Sequence, residues 1–156
     1  MSELGACMMA LHPALDGWFF AHQVALLDRD FARAAAALDG YRERLFRHAA
    51  DEEQHVLPIY ERLGGDATDA PLRLFLGEHQ KMRDFVTDFA RRVAALQAQP
   101  DDRALLELLD REATFKNLAM HHDLRERNML YPFVGARLDA EAQQRVWSQI
   151  TWRGDP

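Results

Sequence analysis

His48-Ala-Ala-Asp-Glu52-Glu-Gln-His55-Val-Leu-Pro58 is the stretch on which the reading of this chain turns. It has an echo far downstream in His122-Asp-Leu-Arg-Glu126-Arg-Asn-Met-Leu-Tyr-Pro132. Each copy reads His-x-x-x-Glu and carries a proline six residues after the glutamate. On an α-helix, positions i and i+4 share a face, one turn apart. Each copy can therefore aim an imidazole and a carboxylate at one point. Two copies facing each other would make a nitrogen and oxygen cage for a pair of metal ions. Such donors suit iron, although zinc, manganese and copper accept them too. A single His-x-x-x-Glu is most often a surface pair. Two copies with the same following proline, both on inward faces, are harder to dismiss.

The inward faces are read from seven-residue ladders. Phe31, Leu38, Leu45, Glu52 and Ile59 form one row, and Ala34, Tyr41, His48 and His55 another. The seam runs unbroken past Gly40, so the spacing predicts one long helix from about Asp30. Its N-cap is Asp30, its preceding turn is Asp28-Arg29-Asp30, and Pro58 should kink it. A third helix, about Asp69 to Gln97, has the rows Leu72, His79, Val86, Val93 and Phe75, Met82, Phe89, Leu96. A fourth, about Asp101 to Leu130, has Leu108, Phe115, His122, Met129 and Leu105, Glu112, Ala119, Glu126, with Glu112 the one poor fit. The first helix ends near Leu27 and carries His12, Phe19, Leu26 and Met8, Leu15, His22. A short fifth helix, about Asp139 to Ile150, is expected to pack on one end through Trp147. The expected fold is all-α: an up-down-up-down four-helix bundle with a short C-terminal fifth helix. At 156 residues it is read as a single domain over 1–156.

Levels within the bundle select among the histidines. From the turn near Pro100, His79 lies 21 residues back and His122 lies 22 forward, a match to about 1.5 Å at helical rise. His48 and His79 are near-equidistant from Gly64. From Arg29, His48 is 19 forward and His12 is 17 back, whereas His22 is only 7 back, roughly 18 Å from that layer. The candidate metal ligands are therefore His12, His48, Glu52, His79, His122 and Glu126. His22 is the alternative for the first helix if that helix runs on to Leu38; otherwise it is a hydrogen-bonded core histidine. His55, read as facing inward one layer beyond Glu52, could be an extra ligand or a proton donor. Its bland reading is a polar residue at the bundle end. Glu78 and Glu53 stand beside ligands and could orient them, the bland reading of each being a solvated carboxylate. His121 is a step off the seam and is expected to be exposed.

Composition bounds the function. The net charge of -6 argues against nucleic acid and against an anionic membrane surface as partners. No apolar run is long enough to span a bilayer, and the N-terminus lacks the basic region of a signal peptide. The lone Cys7 excludes an internal disulfide and any multi-cysteine metal site. A cytoplasmic location is expected. The sequence displays no substrate pocket and no nucleophile–base arrangement, and it leaves any protein partner unidentified.

The set His12, His48, Glu52, His79, His122 and Glu126, spread over four helices, resembles the hemerythrin-like (HHE cation-binding) family. The resemblance spans nearly the whole chain and is most specific at His48-x-x-x-Glu52 with Pro58, at Glu78-His79, and at His122-x-x-x-Glu126 with Pro132. It implies a centre of two iron ions, oxo- or hydroxo-bridged, with Glu52 and Glu126 bridging and a pair of histidines on each iron. The oxygen-carrying hemerythrins add a fifth histidine one turn from the first on the third helix; here those positions are Phe75 and Arg83. Their second carboxylate usually follows its histidine by five residues, whereas Glu126 follows His122 by four. Both departures resemble domains used in iron sensing, nitric oxide response or di-iron repair. The leading expectation is a non-haem di-iron protein that binds or reacts with dioxygen, nitric oxide or peroxide. The alternative is an iron-sensing, iron-storage or repair protein acting through a partner; a metal-free helical interaction module is third. A ferritin-like oxidase is disfavoured, since its helices supply four carboxylates and two histidines.

Overall fold

Asp30 and Asp101 each accept a backbone N–H three residues on, from Arg33 and Ala104, and so open two of the long helices. In the computed structural model, which describes residues 2–155, the helices run α1 (Glu3–Met9), α2 (His12–Leu27), α3 (Phe31–Asp51), α4 (Leu57–Arg62), α5 (Leu72–Ala98), α6 (Asp102–Arg125), α7 (Tyr131–Gly135) and α8 (Ala140–Gln149). No strand occurs among the described residues. The architecture is the expected four-helix bundle, formed by α2, α3 with α4, α5, and α6 with α7. Helix α3 packs against both α2 and α5, and α5 against α6. No helix is long and apolar enough to cross a membrane.

The first turn falls where the ladder placed it, with Arg29 in the left-handed region at φ 55°. Helix α3 passes straight through Gly40. A Cβ there would lie 2.4 Å from the Trp18 ring, so glycine is what lets α2 and α3 approach. Helix α1 was not foreseen. It packs against α7 and α8 and covers the end of the bundle. Helix α8 turns Val146 and Gln143 fully inward, while Trp147 is only half-buried, so Val146 rather than Trp147 is its anchor.

The prolines act differently from expectation. Instead of a kink at Pro58, a single π-helical turn, Glu52–Val56, joins α3 to α4. A second, Glu126–Leu130, joins α6 to α7. Pro58 and Pro132 then sit at the start of the next α segment, where a missing N–H is tolerated. Each π turn inserts one extra residue and advances the inward face by one position. Tyr60 rather than Ile59 is consequently buried, as is Leu130 rather than Met129. His55 is half-buried for the same reason, and Val56 takes the inward place expected for it.

Candidate metal centre

Six side chains from four helices meet in the bundle interior. Their histidines form two pairs: His12 Nε2 lies 3.1 Å from His48 Nε2, and His79 Nε2 lies 3.1 Å from His122 Nε2. The two glutamates connect the pairs. Glu52 turns Oε1 to His48 at 3.6 Å and Oε2 to His79 at 3.2 Å. Glu126 turns Oε2 to His12 at 3.3 Å and Oε1 to His122 at 2.6 Å. Each histidine pair thus faces one oxygen from each carboxylate. Both glutamates are fully buried and open a π turn, so the widened backbone begins at the residue that must reach across the bundle.

Three of the four imidazoles are held from behind. His79 donates its Nδ1–H to Glu53 at 3.0 Å, and Glu53 is gripped by Arg83 at 2.8 Å. His122 donates its Nδ1–H to Glu78 at 2.9 Å, and Glu78 also accepts from Arg125. His12 donates its Nδ1–H to Asp123. These bonds fix ring orientation and aim Nε2 at the cluster. Glu53 and Glu78 are therefore not solvated carboxylates; both are spent on ligand histidines. His48 differs: its Nδ1 is buried without a partner, and the Trp152 ring stands edge-on to it, 6.1 Å between centroids. Trp152 is placed by Asp51, which accepts the N–H groups of Thr151 and Trp152, each at 3.0 Å.

The electrostatics follow from this crowding. Burial pushes His122 down, but Glu126, Glu78 and Glu52 more than reverse it and raise it to about 10. His79 is likewise raised against burial by Glu52 and Glu53, and His12 by Asp123 and Glu126. His48, with no carboxylate behind it, is lowered by burial. Burial raises Glu52, yet His48, His79 and His122 bring it well below the carboxylate range. Tyr131 donates its hydroxyl to Glu52; burial and the two glutamates push this phenol well above its ordinary value.

The donor set fits cations better than it fits itself. Glu52 Oε2 and both oxygens of Glu126 are sealed from solvent and face only imidazole nitrogens, at 2.6 to 3.3 Å. Carboxylate oxygens and imidazole nitrogens converge on two points, and without cations this buried cluster is held only by protons shared between them. The described residues contain two groups able to hold an ion, Glu52, His79, His122 and Glu126, and His12, His48 and Glu126.

His22 lies outside the cluster. It is fully buried, with Nδ1 donating to the Ala34 carbonyl at 2.9 Å and Nε2 2.7 Å from Glu112 Oε1. Glu112, the poor fit of the fourth helix, is there as its partner. His55 is half-buried and belongs to neither ion-holding group, and His121 is exposed. Sequence reasoning missed Asp123, Arg83, Arg125, Tyr131 and Trp152. Asp123 was the most accessible, since it follows a ligand histidine as Glu53 follows Glu52. Sequence also missed a cavity of about 420 Å³ between α2 and α6, floored by all four cluster histidines but touching neither glutamate.

A family profile described as Hemerythrin HHE cation binding domain matches residues 9–144. No curated protein and no solved structure matches the chain.

Proposed function

This chain belongs to the hemerythrin HHE cation-binding domain family, and from that premise we propose that it is a non-haem di-iron protein whose centre binds or reacts with dioxygen, nitric oxide or peroxide. The observation that carries this reading is the way each histidine pair faces one oxygen of Glu52 and one of Glu126. His12 and His48 would hold one ion, His79 and His122 the other, and the glutamates would bridge. When bound, a ferrous pair supplies electrons and exchangeable coordination positions to a small ligand.

The residues of the chain determine where that ligand arrives. The glutamates and Tyr131 close one side of the cluster, and the four imidazoles meet the cavity on the other. A small ligand therefore approaches from the imidazole side. Phe75 sets its ring against His122, 6.3 Å between centroids, and Arg83 is engaged by Glu53. Neither offers a fifth nitrogen, which favours a reactive or sensing centre over reversible oxygen carriage. The buried cluster of glutamates and imidazoles, balanced only by protons when no cation is bound, also favours a second reading, an iron sensor whose fold depends on its load.

Anaerobic loading with ferrous iron, then separate mixing with dioxygen, nitric oxide and peroxide under stopped-flow absorbance, tests the proposal. At least one ligand should give a fast spectral change that saturates near one equivalent per chain. Silence with all three, together with unfolding on chelation, would favour the sensor.

A further inference from the structure

The cavity beside the cluster is far larger than a diatomic requires. Its volume of about 420 Å³ would hold roughly 14 waters at their liquid share and lies in the size range of pockets that enclose organic ligands. Its walls are apolar: Leu15, Phe19, Leu45, Met82 and Phe115 are all buried. Its mouth lies between α2 and α6, where Phe20 and Met120 remain 68% and 49% exposed. Asp16 and Lys116 at the rim carry opposite charges, and the third charged lining residue, Asp123, is already engaged by His12, so neither sign of ion is selected there.

One polar atom is left over inside. Tyr41 is 5% exposed and lines the cavity, yet its hydroxyl has no hydrogen-bond partner among the described residues. Burial, with Asp16 adding to it, keeps this phenol protonated. The hydroxyl oxygen is open to the cavity rather than sealed in the core, so its partner comes from whatever fills that space, water or ligand.

We propose that this cavity binds a neutral, largely apolar organic molecule carrying one hydrogen-bonding group that meets the Tyr41 hydroxyl, its body packed between Phe19, Met82 and Phe115 and one end against the imidazole floor. This deepens the proposed function, since such a molecule would lie beside the small-ligand site, but occupancy itself depends only on the cavity.

1-Aminoanthracene, an uncharged aromatic amine, is a suitable probe for the protein as purified, with iron content measured on the same sample. Saturable one-to-one fluorescence enhancement is expected. Tyr41→Phe should weaken binding about 5- to 10-fold, the effect of one neutral hydrogen bond. Ala119→Trp, which fills the cavity from α6, should weaken it more than about 10-fold. Methyl NMR of the unsubstituted protein decides the matter without any variant: the Met82 signal should shift while Met8, Met9 and Met129 stay in place. Absence of saturable binding, or binding that leaves Met82 unmoved and is lost in Phe20→Ser, would place the probe on the outer surface and overturn the proposal. Equal affinity in Tyr41→Phe would overturn the assigned contact. Probe binding by a sample that takes up no iron on anaerobic loading would count against the di-iron reading alone.

Discussion

The N–H of Tyr131 donates to the carbonyl of Glu126, five residues earlier, as the N–H of Leu57 does to Glu52. These two bonds define the π turns and couple each bridging glutamate to the proline six positions on. Removing the exposed Asn128 would return the second turn to α-helical spacing, and Leu130 would then fall seven residues after His122, on the inward row. Leu130, Tyr131 and Val134 would keep their inward places, and only the widened backbone at Glu126 would be lost. We expect that deletion to reduce bound iron with little change in the midpoint of thermal unfolding, followed by circular dichroism. Unchanged iron would show that the widened turn is incidental.

His22 and Glu112 form a buried pair that takes no part in the metal centre. His22→Ala leaves one oxygen of the buried Glu112 carboxylate without its partner while Gln23 keeps the other, a loss of roughly 1–3 kcal/mol in denaturant unfolding. Iron stoichiometry should be unchanged. Loss of iron in this variant, with none lost in His12→Ala, would reverse the assignment on α2.

Iron loading should release protons. In the metal-free protein His12, His79 and His122 are raised by neighbouring carboxylates, so protons occupy positions that cations need. Calorimetry in buffers of different ionisation enthalpy near pH 7 should record net release of at least one proton, and affinity should fall as pH falls. No release would contradict the placement. The same shift governs the stability of the chelator-treated protein. His122 lies at about 10 in the fold against about 6.5 unfolded. Its contribution is therefore fully present below about pH 6.5 and is lost as pH rises through about 10. Denaturant midpoints should be higher near pH 7 than near pH 10.

The bundle was legible because its ladders are long. From Phe31 on α3 to Glu52 at the start of its π turn, and from Leu72 to Leu96 on α5, nearly every seventh residue is buried. That regularity also fixed the turn at Asp28–Asp30 and set His12 rather than His22 beside His48. It failed after Glu52 and Glu126, where a ladder read at constant spacing cannot register an inserted residue. His55, Ile59 and Met129 were consequently placed one step off, and Tyr131 was missed. The charged support behind the histidines was hidden for another reason. Glu53, Glu78 and Asp123 each reach a histidine on a different helix, and nothing in local spacing distinguishes such a carboxylate from a solvated one. The cavity was hidden because it depends on how far α2 stands from α6.

Iron counted per chain after anaerobic reconstitution and desalting tests the central claim most directly, with Glu52→Ala and Glu126→Ala measured alongside. We predict two irons in the unsubstituted protein and a sharp loss in each variant, because each glutamate serves both histidine pairs. No tightly held iron, or two irons retained in both variants, would contradict the bridged di-iron centre.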